Sequence, residues 1–96
     1  MEIEEYPIRD EQVVWQNVGD EVVIADIEGN TLRILNETAG FIWTLADGTR
    51  KIEDIAREVF DRFDVTPEQA RADVIEFCQE LLQSGLIKFE DDSQRV

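Results

Sequence analysis

Residues 31–48 read TLRILNETAGFIWTLADG. The period of this stretch changes in its middle. Thr31–Leu35 is β-prone and reads as a strand. Asn36 is a natural helix N-cap. Beyond it Ala39, Ile42, Trp43 and Ala46 fall at helical spacing. This first helix stops at Asp47-Gly48, with Gly48 in the C′ role.

Upstream of this junction the pattern is all strand and turn. Val13–Gln16 is a short β-rich run, and Asn17 to Glu21, NVGDE, is turn chemistry. Val22–Ile27, VVIADI, is strongly β-prone, and Glu28-Gly29-Asn30 forms a second tight turn. Strand, turn, strand, turn, strand at this spacing predicts an antiparallel meander. Residues 1–12, with Pro7 among them, read as a loosely held arm.

Downstream the pattern is helical. A second helix is expected from Ile52 to Phe63, with Ile52, Ile55, Ala56, Val59, Phe60 and Phe63 on its apolar face. Thr66-Pro67-Glu68 opens a third: Thr66 as N-cap, Pro67 at N1, and Glu68 near the positive end of the dipole. It runs to about Ser84 and closes at Gly85, and Leu86–Glu90 reads as a short return strand before a frayed tail. The expected fold is α+β, a three-stranded antiparallel sheet followed by three helices, in the manner of a winged helix-turn-helix. The whole chain, 1–96, reads as one domain with its core at about residues 11–90.

Composition removes several function classes. Histidine is absent, which takes away the commonest zinc ligand and the usual general base. No carboxylate run forms a recognisable metal loop. The one cysteine, Cys78, lies in an apolar helical pattern and reads as a small buried hydrophobe. No catalytic residue, cofactor site or metal site is therefore expected. Nine basic residues stand against 23 acidic ones, a net charge of −14. Such a field repels nucleic acid and anionic membranes. Residues 67–84 contain Arg71 as their single cation, which argues against a DNA-reading helix. No apolar run approaches the roughly 20 residues of a membrane helix, and MEIEE at residues 1–5 lacks a signal-peptide pattern, so a cytoplasmic location is expected.

Two features point instead to a partner. The apolar arc of the third helix spans roughly 160°, wider than the ~100° that a surface helix needs. Ala70, Val74, Phe77 and Leu81 form the core stripe. Ile75, Cys78 and Leu82 extend it on one flank, with Arg71 among them, while Asp73 sits on the other. Either the sheet covers the extra flank or it lines an apolar groove. The second feature is the outer strand of a small meander, which leaves a row of backbone groups unpaired. Thr31, Leu32, Arg33, Ile34 and Leu35 form the candidate edge for β-augmentation.

The run Leu35-Asn36-Glu37-Thr38-Ala39, then Ile42-Trp43, then Asp47-Gly48-Thr49-Arg50, resembles the PqqD family pattern. The likeness continues through Ile55, Phe63, Asp73-Val74, Phe77, Leu81 and Gly85-Leu86, and covers about residues 11–90. The resemblance implies a non-catalytic domain that captures the leader segment of a ribosomally made precursor peptide. It would deliver that leader to a modifying enzyme, such as a radical-SAM protein, or to a leader protease, in a pyrroloquinoline quinone, lasso or radical-SAM peptide pathway. It also implies that the leader adds as a strand beside the third strand and lies against the third helix. The contacts expected on that basis are Thr31, Leu32, Arg33, Ile34, Leu35, Arg71, Ile75, Cys78 and Leu82, with Asp73 as a weaker candidate. The competing reading is an acidic winged-helix adaptor or transcription-related domain.

Overall fold

The computed structural model describes residues 5–26 and 30–91. The junction at Asn36 forms as its residues dictate. The strand β4 (Thr31–Leu35) passes directly into helix α1 (Glu37–Leu45), and the Asn36 side chain accepts from the Ala39 N–H at 2.9 Å. Before it come β1 (Glu5–Arg9), β2 (Val14–Val18) and β3 (Glu21–Asp26). After it come α2 (Ile52–Arg62), α3 (Pro67–Gln83) and β5 (Ile87–Asp91).

Strands β2, β3 and β4 form the expected antiparallel meander. Gly19, at φ 63°, and Asp20 make a two-residue hairpin loop between Val18 and Glu21, which pair. Of the second turn, Glu28 and Gly29 lie outside the described residues. Asn30 has a φ of 54°, a left-handed conformation that asparagine tolerates. Alternation then sorts the sheet into two faces. Trp15, Ile24 and Arg33 form one cross-strand row and Asn17, Val22 and Leu35 the next, on the inner face. Val22, Ile24 and Leu35 are buried there, whereas Leu32 and Ile34 on the outer face are 71% and 62% exposed.

Helix α1 covers the inner face, and α2 and α3 complete the core through Ile55, Val59, Val74 and Leu81. Thr66 caps α3 by accepting from the Gln69 N–H at 3.1 Å, with Pro67 in the first turn. The first helix ends one residue earlier than expected. Ala46 is its C-cap, and Gly48, at φ 84°, shapes the following turn against Ile8. Arg50 of that turn pairs with Asp47 at 3.5 Å and with Glu58 of α2 at 2.7 Å.

The N-terminal arm differs from expectation. Residues 5–9 are a strand, paired antiparallel with β5 in a separate two-stranded sheet. Pro7 lowers the strand signal, yet proline is tolerated on an edge strand. The arm is also pinned to the core. The Arg9 guanidinium donates to the Trp43 and Thr44 carbonyls at 2.9 and 3.0 Å at the C-terminal end of α1, where the Trp43 carbonyl also accepts from the Ala46 N–H. It lies 5.0 Å from the centre of the Trp15 ring. The Arg9 N–H donates to Ala46 and the Gly48 N–H to Pro7. The architecture is α+β, strands followed by three helices and a closing strand, akin to a winged helix-turn-helix.

Candidate functional site

Within the three-stranded sheet β3 is central, so β4 has one edge without a strand partner among the described residues. Across that edge lies α3. Arg33 projects from the inner face of β4, on the same side as Leu35, and its Nη2 sits 2.7 Å from Glu80 Oε1 on α3. This ion pair spans the cleft and identifies which flank of α3 faces the strand. On the helix, Asp73 and Glu80 lie two turns apart along one side, with Phe77 between them and the core stripe. Phe77 is half-buried and packs on the core, forming an apolar floor. Asp73 Oδ1 accepts from the Gln69 side chain at 2.7 Å, and Glu76 is exposed beside it.

The residues expected from the sequence divide in four. Thr31, Leu32, Arg33 and Ile34 lie on the free strand as expected, Leu32 and Ile34 pointing to the outer face of the sheet. Leu35 and Cys78 are core residues, 4% and 1% exposed, so neither offers a side chain to a partner. Burial pushes the Cys78 thiol up to about 12. Arg71, Ile75 and Leu82 occupy the flank of α3 turned from β4. The Arg71 Nε donates to Glu53 Oε1 of α2, and Arg71 lines a depression between α2 and α3 with Ala56 and Phe60. Ile75 is half-buried and packs on the core; Leu82 is 45% exposed. Asp73, the weaker candidate, is on the cleft side.

A helical wheel shows that α3 has two flanks but not which one the sheet edge faces. That depends on how α3 crosses the sheet. Phe77 and Glu80 were absent from the expected contacts for this reason. The one sequence signal for them was Arg33, a lone cation on an edge strand in need of an acidic partner.

Among the described residues no group of His, Cys, Asp and Glu could hold a metal ion, and no described helix is long and apolar enough to cross a membrane. Comparison with known proteins bears on the same elements. Among curated proteins, none matches the sequence. In fold, the chain is similar to "TbiB1 in Complex with the TbiA(beta) Leader Peptide", with a TM-score of 0.75 and 22% identity over 84% of this chain and 94% of that one. The profile of the PqqD family, described as coenzyme PQQ synthesis protein D, matches residues 21–87, from the first residue of β3 to the first of β5. Strands β3 and β4, the three helices and the cleft between β4 and α3 all fall within that span, with β2 just before it, and the chain belongs to the PqqD family.

Proposed function

We propose that this domain captures the leader segment of a ribosomally made precursor peptide as an added strand on Thr31–Ile34, in the cleft between β4 and α3. Members of the family are non-catalytic peptide-binding chaperones. TbiB1, which shares the fold, was solved with a leader peptide bound. The observation that carries the reading is the free edge of β4 facing an α3 flank with an apolar floor at Phe77. Main-chain hydrogen bonds to the edge supply affinity for any extended peptide. Selectivity comes from side chains facing Phe77, Asp73 and Glu80. A leader ordered on binding loses part of its interaction energy to chain entropy, so moderate affinity is expected.

The bound leader is then presented to a radical-SAM enzyme or a leader protease. The domain acts by raising the local concentration of substrate at that enzyme. The test is amide hydrogen exchange on the domain with and without the leader peptide of a candidate precursor, with calorimetry to establish saturation. Slowed exchange in β4 with little change in β2 is expected. Saturating peptide that leaves β4 unprotected would refute the cleft as the site.

A further inference from the structure

The charges around the cleft are unevenly distributed. On its helical side α3 presents Asp73, Glu76 and Glu80 at offsets of three, four and seven residues, so they follow one side of the helix. Strand β4 and α3 together contain two cations, Arg33 and Arg71. Arg71 is engaged with Glu53 on the far flank. Of these two elements, only Arg33 puts a positive charge into the cleft, and it rests on Glu80 at 2.7 Å. Neighbouring strands lie ~4.8 Å apart. A peptide added to β4 therefore brings its inward side chains against this ion pair.

Two kinds of leader side chain could engage the pair. An acidic one would take Arg33 and leave Glu80 unpaired beside Asp73 and Glu76, while adding negative charge to a chain of net −14. A basic one would exchange cation for cation on Glu80. Arg33 is one-third exposed, and its guanidinium is released to water. The second exchange keeps the helix flank neutralised and is favoured by the field of the whole chain. An exposed ion pair is held weakly, so opening it costs little.

Resting on the leader-binding reading above, we propose that the cleft selects leaders carrying a lysine or arginine that pairs with Glu80. In the empty domain Arg33 holds the place of that cation. Arg33 is thus a competitor of the ligand, and Glu80 is the residue that sets specificity.

The experiment selects binders from a displayed library of random peptides on the wild-type domain. One enriched peptide and its Lys/Arg→Gln variant are then titrated by calorimetry at low and high salt. Hydrogen exchange locates the peptide, and circular dichroism checks each protein variant. Enriched peptides should share a basic residue at a constant offset from an apolar one. Glu80→Gln should weaken the basic peptide about fivefold to tenfold, and the Gln peptide hardly at all, as a double-mutant cycle requires. Arg33→Met should tighten the basic peptide about twofold to fivefold by removing its competitor. Peptides that carry Asp or Glu at that offset and lose affinity with Arg33→Met would overturn the proposal. So would peptides that protect β4 yet are indifferent to Glu80, and in that case leader capture itself stands. Enriched peptides that leave β4 unprotected, or no enrichment at all, would sink both readings together.

Discussion

Gly40 sits where α1 crosses β3, and a Cβ built there would stand 2.9 Å from Val22 Cγ2. Val22 is buried and cannot swing into solvent. Gly40→Ala gains about 1 kcal/mol of helix propensity but overpacks the core at a cost of about 1–3 kcal/mol. The expected outcome is a net loss of about 1 kcal/mol in urea unfolding. A variant more stable than the parent would show that Val22 yields freely. The Cys78 thiol is the other informative single residue. Burial raises its pKa from 9.0 to about 12. Its stabilising contribution is complete below pH 9, because both states then keep the proton. As pH climbs from 9 toward 12, the unfolded chain ionises first and the folded state loses about 1.4 kcal/mol per unit. The difference in stability between the parent and Cys78→Ala should shrink over that window, and a constant difference would contradict the burial argument. At pH 8 the folded thiol should resist aromatic disulfide reagents and react once the chain is unfolded.

At the scale of elements, α3 has different work on its two sides. Leu82 is 45% exposed on the flank turned from β4. Leu82→Asp should therefore leave both fold and leader affinity nearly unchanged. Phe77→Ala removes the cleft floor and should weaken leader binding about tenfold or more, with a smaller loss of stability because Phe77 is only half-buried. The reverse pattern in calorimetry would move the leader to the α2 side. The β1–β5 pair makes its own prediction. Arg9 donates to two carbonyls at the end of α1 and lies against Trp15. Arg9→Ala should cost about 1–2 kcal/mol in denaturant unfolding, the lower range for charge-assisted bonds since Arg9 is partly exposed. An unchanged midpoint would show that the arm contributes nothing to the core. The strands and helices of residues 31–84 were legible because caps and periodicity are local signals. Strand β1 was not, because its partner is about eighty residues away and its sequence, EYPIR, holds a proline and no alternation.

At the scale of the molecule, a winged-helix shape carries a charge of −14. In a DNA-binding relative of this architecture the helix that enters the groove contacts phosphates through cations. Here α3 carries Glu68, Asp73, Glu76 and Glu80, with Arg71 already paired to Glu53. Duplex DNA should show no saturable binding in an anisotropy titration at moderate salt, and nanomolar sequence-specific affinity would reverse the functional reading. The domain incubated alone with its precursor should produce no mass change, since the lone thiol is buried and protonated at neutral pH. A reproducible mass shift without added enzyme would require a catalytic group that these residues do not supply.

Local chemistry alone determined the order of elements from β2 to α3. It determined the cap at Asn36, the start at Thr66-Pro67, the strand on Thr31–Leu35, and the acidic net charge, which is unfavourable to nucleic acid. Each of these follows from side chains within a few positions of one another, or from summed charge. The family likeness was legible for the same reason, because the turn and cap residues between Leu35 and Arg50 sit at constant spacing. Only the tertiary structure decided which flank of α3 faces β4. It withdrew Leu35 into the core and turned Arg71 toward α2. It brought Arg33 to Glu80, 47 residues apart. A helix can be rotated about its axis or swung across a sheet without any change in its own periodicity. The orientation of α3 is therefore chosen by how the whole core packs, which no local stretch of the chain encodes.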